Sequence, residues 1–344
     1  MNPGTPEPWN PDTLASLVEH LRVDSPIDVL EQFERKLKEL LSVELAAPIT
    51  GERMREVASF QAHRGFLLKY KSYAVKAASP LGYSVFLQRR GEGFSFQRHI
   101  SHKTEIFCIL DVQPGGYVFL CDFEEWQRIY DRDTFLAWLG GAPDARYERW
   151  RFVPQPGDVI VIDRLNVVHT VVGCTLVEFA TVSTDMVDRL HDQNEGRLVP
   201  AQFTREFAES KLRDLVWPAV SHLVTCEGGR YSRRVIPAHQ VKGGVRTMFG
   251  EGAVVASSFR FDAGAASDLS VDLERATCLH VAGGAGRLVL GDATEVRRPS
   301  PPTLAARAGD LFFLVPGAHY GFINDGAAPL TVAEHRIPHA VAFV

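Results

Sequence analysis

Apolar positions change their period along this chain. After Asn10-Pro11-Asp12, Leu14, Leu17, Val18 and Leu21 recur three and four apart, and after Ser25-Pro26 the same spacing links Val29, Leu30, Phe33, Leu37, Leu40 and Leu41. Side chains at those intervals share one face of an α-helix and proline fits its first turn, so two helices are predicted within residues 1–50. From about Arg55 to Val182 the apolar runs are short, rich in Val, Ile and Phe, and punctuated by Gly, Pro and Asp, a pattern of strands and turns. One stretch interrupts it: from about Glu124 to Arg151, Trp126, Tyr130, Phe135, Trp138, Tyr147 and Trp150 crowd around a short helix expected over Asp131 to Leu139 and stopped by Gly140-Gly141. Phe207, Leu212 and Leu215 punctuate a charged, helical segment from Thr204 to Trp217 that Pro218 ends, and from about Tyr231 short strands return.

Composition supports two folded modules. The chain has 344 residues, 45% of them hydrophobic and 23% charged, enough to bury two sizeable cores. Its net charge of -5, with no basic stripe, argues against a nucleic-acid partner. No apolar run approaches the length of a membrane span, and the start Met-Asn-Pro-Gly-Thr-Pro-Glu-Pro lacks the charged and apolar regions of a signal peptide. The five cysteines, Cys108, Cys121, Cys174, Cys226 and Cys278, are isolated in strand-like runs without Cys-x-x-Cys spacing. Reduced thiols, a cytoplasmic location and no membrane partner are the expectation.

The chemistry concentrates in two places. Between Phe94 and Leu110 stand His99, His102 and Glu105, and His169 closes a run that begins at Pro156-Gly157-Asp158. Neutral imidazoles with a carboxylate suit one divalent ion, Zn, Fe, Mn, Ni or Co, with coordination positions left open. Alternation along a strand puts His99, Ser101 and Glu105 on one face, and a bulge around Ser101 to Thr104 would turn His102 inward as well. The expected ligands are His99, His102, Glu105 and His169, with His99, Glu105 and His169 as the smaller set.

These two segments resemble the paired motifs of the cupin superfamily, a His-x-His followed by Glu and then a Pro-Gly-Asp turn, a buried strand and a closing His. Glu105-Ile-Phe-Cys-Ile-Leu-Asp-Val and Pro156-Gly-Asp-Val-Ile-Val-Ile-Asp carry the likeness, while the family's second histidine would fall on Ser101 instead of His102. The resemblance repeats later: Cys278-Leu-His280-Val-Ala-Gly283 stands where a first motif would, and Ala308-Gly309-Asp310 to His319 where a second would. Ala276 then takes the place of Glu105, His280 falls in an apolar run, and His319 is a relic or a hydrogen-bonding residue.

The resemblance implies a mostly β bicupin, two double-stranded β-helix (jelly-roll) barrels with N-terminal and linker helices. Expected boundaries are an N-terminal helical segment at 1–50, a metal-binding cupin domain at 51–200 with its aromatic insertion near 124–151, a helical linker at 201–230 and a degenerate second cupin domain at 231–344. The insertion either packs its own aromatics or forms a lid over the metal. Residues Val187 to Arg197 look like the segment that ends the module in sugar-directed cupins such as lyxose isomerases, which makes Arg189 or Arg197 a substrate contact.

The implied function is metal-dependent, isomerase-type chemistry on a sugar-like small molecule, with Lys103, Glu178 and Arg189 as catalytic candidates and Asp163 and Arg164 as further acid/base or orienting groups. A non-haem Fe(II) dioxygenase and a non-catalytic small-molecule binder are the alternatives, and the family's habits make a homodimer an expected assembly.

Overall fold

The computed structural model describes residues 59–63, 66–70, 74–78, 82–100, 103–163, 165–181, 187–194, 197–291, 294–314 and 317–338. The two helices expected within 1–50, and also His102 and Arg164, lie outside them.

In chain order the first part contains β1 (Ser59–His63), β2 (Phe66–Tyr70), β3 (Ala74–Ala78), β4 (Tyr83–Gln88), β5 (Phe96–His99) and β6 (Glu105–Asp122). Helices α1 (Phe123–Ile129), α2 (Arg132–Leu139) and α3 (Ala145–Glu148) follow, then β7 (Arg151–Phe152), β8 (Asp158–Ile162), β9 (Val167–Ala180) and β10 (Val187–His191). After α4 (Arg205–Arg213), β11 (Ser221–Glu227) and β12 (Arg230–Ile236) make a hairpin. The second part holds β13 (Ala238–Val241), β14 (Gly244–Gly250), β15 (Val255–Phe261), β16 (Ser270–Val271), β17 (Arg275–Gly283) and β18 (Ala285–Gly291). It ends with β19 (Thr303–Arg307), β20 (Leu311–Leu314), β21 (His319–Ile323) and β22 (Leu330–Pro338).

Strand pairing reveals the same architecture twice. In the first part the orders β4-β9-β6-β8 and β5-β9-β6-β7 enclose one core; in the second, β15-β22-β17-β20 and β16-β21-β18-β19 enclose another. Two rows of four strands in this order make a jelly roll; β13 and β14 extend one row of the second barrel into a six-stranded sheet, and the rows of the first belong to one twelve-stranded sheet. The first barrel uses fewer strands than the second because β6 and β9 each run through both of its rows. They bend where Gly116 passes Gly173: a Cβ on Gly116 would stand 2.9 Å from the Gly173 carbonyl oxygen, and Gly173 itself has φ 66. Only glycine permits that approach together with that backbone conformation.

Alternation then sorts the side chains. Phe107, Ile109, Val118, Leu120, Ile160, Ile162, Val171 and Leu176 fill the first barrel. Leu279, Val281, Leu288, Leu290, Leu314, Tyr320, Phe322 and Val332 fill the second. The opposite faces of β4, β6 and β9 carry Tyr83, Ile106, Cys108 and Phe179, buried where the two barrels meet. There the Tyr83 hydroxyl hydrogen-bonds with His280 Nδ1 at 2.6 Å, and Phe179 sets its ring edge-on to His335 at 5.6 Å. Burial pushes both His280 and His335 down to about 3, so each is neutral at ordinary pH.

The aromatic insertion is not a lid. Trp126, Phe135, Trp138, Tyr147 and Trp150 pack with Phe96, Tyr117, Phe119, Val168 and Val172 into a separate core on the outward face of β5, β6 and β9, away from the barrel interior. Its expected helix forms as α2, with the Asp131 side chain accepting from the Thr134 N–H and Gly140 ending it. The linker region is helical only in part. Thr204 caps α4, which ends at Arg213, well short of Trp217, whereas β11 runs parallel to β8 and adds the β11–β12 hairpin to the first sheet. All five cysteines are free thiols.

Candidate metal centre

Three of the expected ligands converge inside the first barrel. On β5 the outward positions are Phe96 and Arg98, so Gln97 and His99 face inward; Glu105 opens β6 on the inward side, and His169 lies on β9 between the core residues Val167 and Val171. His99, Glu105 and His169 offer donor atoms that all lie within 4.8 Å of one another, and all three side chains are buried. Among the described residues no other group of His, Cys, Asp or Glu is arranged this way.

Two of the three separations match those of donors to one ion. His99 Nε2 lies 3.0 Å and His169 Nε2 3.4 Å from Glu105 Oε2. Two donors bonded at roughly 2.1 Å to one ion stand about 3.0 Å apart at a right angle and about 3.4 Å apart at a tetrahedral one. The protonation state fits too: His169 Nδ1 donates to the Val167 carbonyl at 3.0 Å, which leaves the Nε2 lone pair directed inward. Gln97, a residue the sequence reasoning missed, brings its amide nitrogen to 3.4 Å from His169 Nε2. Its signal was its place two residues before His99 on the same strand face.

Of the other expected site residues, Lys103 stands 2.7 Å from Glu105 Oε1, so the lysine takes one carboxylate oxygen and the imidazoles share the other. Burial by itself would raise the Glu105 carboxyl, but the Lys103 charge and the adjoining imidazoles of His169 and His99 outweigh it and hold the group well below the usual carboxylate range. Glu178 is buried on β9 with Phe107 as its cross-strand partner on β6, the inward position one step along from Glu105. Arg189 is exposed on β10, where its partner is Gln97. Asp163 lies at the rim of a cavity of about 630 Å³ whose wall includes Leu120 and Ile162, the cross-strand partners of His169 and Glu105.

The second barrel answers these positions one by one. Register places Thr277 where Glu105 stands, because Thr277 pairs with Leu314 and Arg336 as Glu105 pairs with Ile162 and Ala180. Tyr320, paired with Leu290 and Ser270, takes the place of His169, paired with Leu120 and Gln97. Asp272, two residues beyond Ser270, then takes the place of His99. Thr277 and Tyr320 therefore replace the expected equivalents Ala276 and His319; His169 stands seven residues after Ile162, the partner of Glu105, whereas Tyr320 stands six after Leu314, the partner of Thr277. Arg336 reaches into this site, 2.7 Å from the Tyr320 hydroxyl, 2.7 Å from Glu334 Oε1 and 3.5 Å from Asp272 Oδ2.

Two jelly rolls with one strand order, the first holding a His-Glu-His cluster, match the architecture that the two sequence motifs imply. The fold is that of a bicupin. Solved structures with a likeness to it include AerE from Microcystis aeruginosa (6% identity, 80% of this chain and 93% of that one, TM-score 0.42) and an 11S globulin from Wrightia tinctoria (12%, 82% and 82%, 0.44). Oxalate decarboxylase from Bacillus subtilis is another (12%, 82% and 74%, 0.45). No protein-family model matches this bicupin, and no curated protein does. No helix among the described residues is long and apolar enough to cross a membrane.

Proposed function

We propose that this bicupin is a metal-dependent enzyme acting on a small polar molecule in its first barrel, with isomerase-type proton transfer as the reaction. The observation that carries the proposal is the buried convergence of His99, Glu105 and His169 within 4.8 Å. These three residues would hold one divalent ion, whose contribution when bound is to polarise a substrate carbonyl or hydroxyl as a Lewis acid. Lys103 fixes the Glu105 carboxylate in one orientation through Oε1. Glu178, buried on the same wall, is the carboxylate placed to take a proton from a carbon next to that carbonyl and return it to its neighbour. The apolar lining, Phe107, Leu120 and Ile162 among it, limits access of water.

The donor set itself favours a second reading, since two histidines and one carboxylate with open positions are also the ligands of non-haem Fe(II) oxygenases. The test is metal analysis of the purified protein and of Glu105→Gln, followed by assays for aldose–ketose interconversion and, for the iron-loaded form, oxygen uptake. One metal per chain, lost in the variant, with interconversion of a sugar-like substrate supports the first reading. Oxygen uptake moves the assignment to the second. Metal bound without either reaction leaves a ligand-binding protein, and a wild type that binds no metal overturns all metal-dependent readings.

A further inference from the structure

The metal cluster lies at one end of a row of side chains that crosses three neighbouring strands. His169 on β9 pairs with Gln97 on β5, and Gln97 pairs with Arg189 on β10. Directly paired residues in a sheet present their side chains to the same face, so Arg189 projects on the side that carries His169 and His99. The neighbours on β10 confirm the parity: Asp188 bonds Arg98 at 2.9 Å, and Leu190 packs with the aromatic insertion, both on the outward face. Adjacent strands are about 4.8 Å apart, which puts the Arg189 backbone roughly 10 Å from that of His169, a gap that an arginine side chain pointing toward a metal-bound molecule spans in large part. The guanidinium is exposed, and among the described residues no carboxylate pairs with it.

Charge completes the argument. Lys103 reaches the same cluster, and its ion pair with Glu105 takes up the only carboxylate among the three converging residues. A divalent ion in this site would thus face substrate with Arg189 beside it, an arrangement that attracts negative charge. Arginine's planar fork binds carboxylate or phosphate through two parallel hydrogen bonds, so the side chain has a matching ligand group of defined chemistry.

Resting on the metal-dependent reading above, we infer that Arg189 anchors an anionic group of the substrate, making the substrate class an acidic polyol, either a hydroxycarboxylate or a phosphorylated sugar, instead of a neutral sugar. Gln97, between the anchor and the metal, is placed to bond the substrate's intervening hydroxyl.

The test uses full-length protein loaded with Co(II), whose visible absorption reports ligand binding without turnover. Three probes of similar size are titrated: glycerate, glycerol phosphate and the neutral polyol erythritol. The expected result is that at least one anionic probe binds about tenfold or more tightly than erythritol. Arg189→Met should remove that preference and leave erythritol binding unchanged, Arg189→Lys should keep part of it, and the exposed Arg234→Gln on β12 should behave as wild type. The better of the two anions identifies the group. Equal binding of all three probes, or an anion preference that survives Arg189→Met, overturns the anchor while the metal reading stands. Protein that takes up no Co(II) overturns both, and the metal content of each sample separates these failures.

Discussion

The two barrels share their strand order and differ in what fills one small volume. In the first, His99, Glu105 and His169 surround a point with donor atoms and leave it for a cation. In the second, the same three register positions hold Asp272, Thr277 and Tyr320, and the cation is built in: the Arg336 guanidinium sits among Tyr320, Glu334 and Asp272. Arg246 adds a second positive charge, 2.8 Å from Glu334 Oε2, and Ser257 donates to the same carboxylate, as does Tyr320 to the other oxygen. Ala180 occupies the position of Arg336 in the first barrel, so one small residue there keeps the space that an arginine fills in the second. A jelly roll whose polar end must be neutralised has two solutions here, a recruited ion and a covalently attached one. The first leaves room for a ligand at the ion, and the second is filled by its own side chains.

The largest effect expected from breaking this contrast is on metal content. His169→Ala should reduce bound metal from one per chain to a small fraction of that with the fold intact by circular dichroism, whereas Tyr320→Ala should leave metal content unchanged. Elemental analysis of both variants checks it.

Next in size is the ionic plug. Arg336→Met leaves the buried Glu334 carboxylate with one arginine fewer, and should cost on the order of 3 kcal/mol in urea unfolding, with the double variant Arg336→Met/Glu334→Gln recovering most of it. Loss of metal in Arg336→Met would show that the barrels are not independent in this respect.

The seam between the barrels supplies a pH dependence. His280 and His335 have pKa values near 3 in the fold against an ordinary 6.5, so the unfolded chain binds more protons below 6.5. The stability of the neutral pair is complete above about pH 6.5 and falls as pH drops towards 3, by about 1.4 kcal/mol per histidine and pH unit. Urea midpoints at pH 7.5 and 5 should differ for the wild type, and by less for His335→Leu.

The smallest effect concerns the shared glutamate. Glu178 and Glu334 are register equivalents, paired with Ser84 and Ser257 on β4 and β15. Glu178→Gln should change stability by less than about 1 kcal/mol while abolishing turnover, because no described side chain is ion-paired with it; Glu334→Gln should destabilise and spare turnover. Equal destabilisation by both would remove Glu178 from the proposed proton transfer.

What was legible in the sequence follows from period. Alternation along a strand needs no knowledge of partners, so the common inward face of His99 and Glu105 and the turn-strand-His pattern ending at His169 could be read directly. Helix α2 was equally readable, since Asp131 and Gly140 mark its ends locally. Register between strands is a different kind of information. The second barrel's equivalents, Thr277 and Tyr320, stand one residue beyond Ala276 and His319, because only the pairing of β17 with β20 and of β21 with β18 fixes which residue stands opposite which. Arg336 was invisible for the same reason: it comes from β22, far in sequence from both motifs, and only the pairing of β22 with β17 carries it to the site. The destination of the aromatic insertion also depended on tertiary packing, as its residues suit a lid and an outer core alike.

That outer core has a consequence for how the molecule can be watched. Three of the five tryptophans, Trp126, Trp138 and Trp150, belong to it, and the sequence from 231 to 344 has none. Intrinsic fluorescence is therefore weighted toward one patch on the back of the first barrel, with Trp217, stacked on Phe249 of β14, the one described tryptophan set against the second. A fluorescence-detected melt that precedes the far-ultraviolet one would report that patch peeling away while most of the strand structure is still folded, and Trp217→Phe would remove the contribution from the second barrel without any label.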